Sequence, residues 1–100
     1  MEKTSGTEKK EALYQAILNL KNMEECHDFF EDLCTVKEMQ VMEQRFEVAK
    51  MLKKDKVYTE IVQKTKASSA TISRVKRMLN YGTGCLGRML DELENADGEQ

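Results

Sequence analysis

Not one proline interrupts the 100 residues of this chain, where average usage near 5% would place about five. Proline breaks helix interiors, so a chain without it is free to be helical over nearly its whole length. The apolar residues carry the matching signal. Leu13, Ala16, Ile17 and Leu20 fall at i, i+3, i+4 and i+7, one face of a first helix. Asn22, three residues before Glu25, reads as the cap of a second helix bearing Met23, Cys26, Phe29, Phe30 and Leu33. Thr35-Val36-Lys37-Glu38 is a full capping box. It opens the longest helix, with a stripe of Met39, Met42, Phe46, Ala49 and Leu52, ending near Lys54.

After the break at Asp55-Lys56, Thr59 is placed to cap a short fourth helix carrying Ile61 and Val62. Lys66-Ala67-Ser68 makes a tight connection, and a fifth helix runs from Ser69 to about Leu79. Asn80-Tyr81-Gly82 with Gly84 stops it, and Leu86, Met89, Leu90 and Leu93 mark the last helix. No stretch of period two is long enough for a strand. The expectation is an all-α fold of about six helices in a single domain, residues 1–100, with polar ends fraying at 1–7 and 95–100. A chain this short buries only about 60–65% of its unfolded surface, so its core is thin unless a second subunit completes it.

Several classes of function are excluded early. No apolar run approaches the ~18 residues that span a bilayer, and the first residues lack a signal peptide's apolar core, so a cytoplasmic protein with no membrane partner is expected. Cys26, Cys34 and Cys85 are odd in number and lack C-x-x-C spacing. With His27 they make a poor zinc set, and reduced, largely buried thiols are expected instead, with no metal site. There is no phosphate-binding Gly-rich loop, no dinucleotide fingerprint and no nucleophile elbow, and a single histidine leaves little for acid–base chemistry. No catalytic residue is assigned; the chain reads as something other than an enzyme. Met39, Met42, Met51, Met78 and Met89, spread over three helices, are expected to fill an adaptable core.

The whole-chain charge of −2 and pI near 5.5 look unsuited to nucleic acid until they are divided along the chain. Residues 1–34 hold four Lys against eight Asp/Glu, a net of −4, and residues 82–100 also carry −4. Residues 35–58 carry +2, and residues 59–81 carry +4, with Glu60 the only acid. A DNA-binding surface needs local positive charge; the total need not be positive.

That basic block coincides with a helix–tight turn–helix, TEIVQKTKASSATISRVKRML, residues 59–79. In a DNA-binding helix-turn-helix the second helix enters the major groove, held at its angle by apolar contacts with the first. Ile72, Val75 and Leu79 share one face and can pack on Ile61 and Val62. Ala70, Ser73, Arg74 and Arg77 fall opposite: a small residue for close approach, a hydroxyl, and guanidinium groups suited to guanine or phosphate. Ser68, Ser69 and Thr71 lie at the helix start, where hydroxyls and unpaired amides hold phosphates. Thr59, Lys66 and Lys76 complete the candidate DNA-binding set. Two features fit less well: Lys66 stands where glycine is commonest in such turns, and half-polar Thr65 precedes it at a buried position.

At these residues the chain resembles the Trp repressor family, and more closely its branch of repressor-like proteins of unassigned ligand. The resemblance runs from about Leu33 to Gly82. It is carried by Leu33-Cys34-Thr35, by Arg45, by Ala70-Thr71-Ile72-Ser73-Arg74 and by Leu79-Asn80-Tyr81-Gly82. It implies an intertwined homodimer, with N-terminal helices exchanged and two helix-turn-helix units spaced for a palindromic operator, ~34 Å apart. It also implies a corepressor pocket. Arg45 and Arg74 match the two arginines that sandwich an indole in tryptophan-binding relatives, and Thr35 matches a pocket threonine contributed by the partner subunit. Val75 and Met78 replace a glycine and a serine there and fill the space an indole needs. The ligand to expect is another amino-acid-like or small-molecule corepressor, or none, rather than tryptophan itself; no cofactor is required.

The function expected is therefore a dimeric regulator of transcription, a repressor binding double-stranded DNA through helix 69–79. The acidic ends support an alternative, a helical interaction module that regulates by docking on another protein without touching DNA.

Overall fold

The computed structural model describes residues 3–98, with side chains described for residues 11–96. Among them are six α-helices and no strand: α1 (Lys3–Leu18), α2 (Met23–Leu33), α3 (Val36–Lys53), α4 (Tyr58–Thr65), α5 (Ser69–Tyr81) and α6 (Cys85–Gly98). Chain length alone suggests one unit; the packing divides into two, Met1–Met39 and Gln40–Gln100. Fraying is expected at 1–7 and 95–100; the helices reach into both stretches, α1 beginning at Lys3 and α6 running to Gly98. Extending a formed helix is far easier than nucleating one, so polar residues without proline continue it. Residues 1, 2, 99 and 100 lie outside the described residues.

In the first unit the caps form where the sequence places them. Asn22 Oδ1 accepts the Glu25 amide at 2.8 Å, and Glu25 Oε1 accepts the Lys21 amide at 2.9 Å. The Thr35 box is reciprocal: Thr35 Oγ1 accepts the Glu38 amide at 3.0 Å, and the Thr35 amide donates to Glu38 Oε1 at 2.9 Å. Leu20, expected in the first helix, lies past its end, its amide bonded to the Ile17 carbonyl in a closing turn at 3.1 Å. No residue of α2 is buried. Phe29 and Phe30 are half-buried, their rings edge to face with centroids 5.1 Å apart. Cys26 and Cys34 are half-buried and Cys85 is exposed, so the thiols are less enclosed than their residue type suggests. For Cys26 and Cys34 the reason is that this unit closes no core of its own.

All the fully enclosed side chains among the described residues lie in the second unit. Val48, Ala49 and Met51 of α3, Ile61 of α4, Ala67 of the connection, Ile72 and Val75 of α5, and Leu90 of α6 form one cluster, with Leu52, Val62, Leu79 and Leu86 packed against it. The expected α3 stripe is therefore split. Ala49 and Leu52 enter the core, but Met42 and Phe46 remain 41% and 37% exposed, and Val48 and Met51 take the buried places instead. The expectation of a methionine-filled core is corrected likewise: only Met51 is buried, Met39 is half-buried, and Met42, Met78 and Met89 are exposed. Only the C-terminal half of α3 is covered by α4, α5 and α6, so only there does the helical period translate into burial.

Candidate nucleic-acid interface

Helix α3 ends where Asp55 takes a left-handed conformation, φ 58°, and the Lys56 amide bonds back to the Met51 carbonyl at 3.0 Å. The chain leaves this turn extended at Val57, and α4 starts at Tyr58. This corrects the expected start. Val57 occupies the cap position without a side-chain bond, and Thr59 is an exposed residue one place inside the helix. The left-handed turn, not a capping hydroxyl, sets where α4 begins.

The connection to α5 explains both residues that fit the sequence pattern poorly. Lys66 adopts φ 60°, ψ 18°, the left-handed conformation for which glycine is the usual choice. Its amide still closes α4 by donating to the Val62 carbonyl at 2.8 Å. Thr65 is half-buried but its hydroxyl is satisfied twice: it donates to the Ile61 carbonyl at 2.7 Å and accepts the Ala67 amide at 3.1 Å. From α3, Gln44 Nε2 donates to the Thr65 carbonyl at 3.1 Å. Gln44 thus fixes the turn that aims α5, a role no local pattern announces. Replacing Lys66 with glycine relieves the left-handed penalty, and a gain of about 0.5–1 kcal/mol is expected in urea unfolding; a loss of stability would contradict this account of the turn.

Ser68 caps α5, its Oγ accepting the Thr71 amide at 3.1 Å and bonding the Thr71 hydroxyl at 3.2 Å. The amides of Ser69 and Ala70, in the first turn, have no helical acceptor and point out of the helix end. Ile72 and Val75, 4% and 2% exposed, lock the inner face of α5 onto Ile61. The helix continues two residues past the expected Leu79, to Tyr81. Its outer face is one open groove lined by Ala70, Ser73, Arg74, Arg77, Met78, Tyr81 and Gly82. Ser69, Lys76 and Lys66 are exposed at its flanks and Thr71 is half-buried.

The candidate corepressor residues are not all gathered here. Arg74 and Met78 line the groove, whereas Val75 points to the opposite side of α5 and is sealed in the core. Val75 therefore does not face a ligand placed on the outer side of the helix. Arg45 is exposed on α3 and is not among the groove's lining residues. Thr35 is engaged in the α3 capping box. A second groove, in the same unit, runs between α3 and α6 over Phe46, Leu90 and Leu93, edged by Lys50, Lys53 and Lys54. Lys53 Nζ also pairs with Asp91 Oδ1 of α6 at 3.1 Å. No described helix is long and apolar enough to cross a membrane.

A basic, two-helix element with a tight left-handed turn and an exposed recognition face defines a helix-turn-helix regulator. The model of the Trp repressor protein family matches residues 8–94, and the chain belongs to that family, whose members are regulators rather than enzymes. It is 49% identical over 87 residues to the uncharacterized protein YerC of Bacillus subtilis (strain 168), covering 87% of this chain and 84% of that one. Among solved structures it resembles a TrpR-like protein from Eubacterium eligens ATCC 27750, with 54% identity, a TM-score of 0.81, and coverage of 84% and 87% of the two chains. It also resembles a candidate Trp repressor from Staphylococcus aureus, with 45% identity, a TM-score of 0.84, and coverage of 94% and 95%.

Proposed function

We propose that this protein is a homodimeric, sequence-specific DNA-binding repressor that reads a palindromic operator with α5. The observation that carries the proposal is the outer face of α5. Ala70, Ser73, Arg74 and Arg77 share an open groove, on a helix whose inner face is anchored in the core. Arg74 and Arg77 pair with guanine edges or phosphate, and Ala70 and Ser73 permit close approach to the base pairs. Ser68, Ser69, Thr71, Thr59, Lys66 and Lys76 hold phosphates on either side of the groove.

Dimerisation is supported by the apolar surface a single chain leaves open. Leu13, Leu18, Met23 and Leu33 of the first unit are 41–76% exposed, and Met42, Phe46, Met89 and Leu93 of the second are 37–50% exposed. A second copy covers these faces and brings two α5 helices to half-sites one helical turn apart. An amino-acid-like corepressor held by Arg45 and Arg74, with Thr35 from the partner, would make the affinity ligand-dependent. Tryptophan is disfavoured by the bulk of Met78 beside Arg74.

Titration of labelled duplexes at several salt concentrations tests the reading. Tight binding should fall steeply with salt, by about 10³–10⁵ between 50 and 200 mM if six to ten phosphates are contacted. Repeating it with a panel of amino acids shows whether a corepressor is needed. Absence of binding at low salt in every condition would leave the alternative, docking on another protein through the acidic ends, residues 1–34 and 82–100.

A further inference from the structure

We propose that Tyr81 and Arg88 form a second, phosphate-gripping edge of the DNA interface, at the turn where α5 passes into α6; the inference rests on the DNA-binding reading above. Tyr81 is 82% exposed, the most exposed large apolar side chain described, and it lines the same groove as Ala70, Arg74 and Arg77. At 100° per residue it projects within about 40° of all three. It also lies about 16 Å along the helix from Ala70 at 1.5 Å per residue. A recognition helix sets its N-terminal residues on the base edges. With Ala70 there, Tyr81 at the far end of α5 meets the sugar–phosphate backbone rather than the bases.

The turn holds it there. The Gly82 amide donates to the Met78 carbonyl at 2.8 Å, and a Cβ at position 82 would stand 2.5 Å from that oxygen. Only glycine lets the chain leave α5 so tightly. Gly84 then takes φ 88°, and the Arg88 Nη1 atom lies 3.5 Å from where a Gly84 Cβ would be. The guanidinium thus lies over the turn that follows α5, one helical turn back from its own Cα. Arg88 is the one base among five acids in residues 82–100. The ion pairs among the described residues are Lys50–Glu47 and Lys53–Asp91, and Arg88 is in neither. Its planar fork matches phosphate oxygens bidentately, and the Tyr81 hydroxyl donates to a phosphate oxygen. Both grip the backbone and add affinity without reading sequence.

The test uses the full chain, with Tyr81→Phe, Arg88→Gln, Arg88→Lys and Arg77→Ala compared on a selected operator and a scrambled duplex across salt. Arg88→Gln should weaken binding to both duplexes about fivefold and lower the log–log salt slope by about 1, the share of one phosphate contact. Arg88→Lys should keep the slope and recover part of the affinity. Tyr81→Phe should weaken both about threefold with the slope unchanged. Helix content and subunit mass should match the parent. Tyr81→Phe and Arg88→Gln within twofold of the parent, at unchanged slope, while Arg77→Ala is impaired, would overturn the proposal. A parent that binds no duplex would instead overturn the DNA-binding reading itself.

Discussion

Changing Arg74 and Arg77 together to alanine should lower affinity for the operator by at least about 30-fold, and discrimination against scrambled DNA should fall with it. Each bidentate arginine contact to a base is worth about 1–3 kcal/mol, and both side chains are exposed on the groove face of α5. Neither reaches the core, so the fold should hardly notice. Surface substitutions away from packed positions stay within about 0.5 kcal/mol each, which keeps the melting temperature of the double variant within about 8 °C of the parent's. Fluorescence anisotropy beside thermal denaturation separates the two readouts. If the variant bound the operator like the parent, these arginines would be ordinary surface charge.

Ile61→Ala should do the reverse. Ile61 is 1% exposed and packs with Val48, Ile72 and Val75 where α3, α4 and α5 meet. Removing its outer carbons costs the transfer energy and leaves a cavity, about 2–5 kcal/mol in all. For a domain of this size that lowers the melting temperature by roughly 10 °C or more, read by circular dichroism. DNA binding should weaken as well, but only as α5 loses its anchorage, and it should recover at low temperature. A melting temperature unchanged by Ile61→Ala would mean the core is not where the packing places it.

The parts of this architecture legible in the sequence are those set by local chemistry. The Asn22 cap and the Thr35 box need only neighbours within four residues, and both form as the sequence dictates. The inner face of α5 was legible too, because Ile72, Val75 and Leu79 have one nearby helix to meet. What was not legible depends on contacts distant in sequence. Met42 and Phe46 continue the helical period of α3 but stay 41% and 37% exposed, so periodicity alone could not tell a core face from an exposed one. Val57, not Thr59, takes the cap position of α4 because a left-handed Asp55 turns the chain first, and aspartate at φ > 0 is uncommon enough to escape pattern reading. Gln44 reaches the Thr65 carbonyl 21 residues away, which only the tertiary structure reveals. In the candidate site, the shared exposed face of Ala70, Ser73, Arg74 and Arg77 was legible from 100° spacing. The candidate corepressor residues carry no pattern of their own, and of them Val75 lies in the core, on the packed face that its spacing also indicates.

The division of charge points the same way. The acidic pI belongs to the flanking helices, while residues 35–81 hold a net +6 around the helix-turn-helix. A protein built this way should repel DNA with its ends and engage it with its middle, favouring one orientation on the duplex.

Selection of binding sites from random duplex DNA by the 100-residue chain, with and without a panel of amino acids, tests the central claim most directly. The expected result is an enriched palindrome whose half-sites are centred about 10 base pairs, or ~34 Å, apart, lost when Arg74 and Arg77 are alanine. Enrichment of no sequence, or of one whose recovery is indifferent to those two arginines, would contradict it.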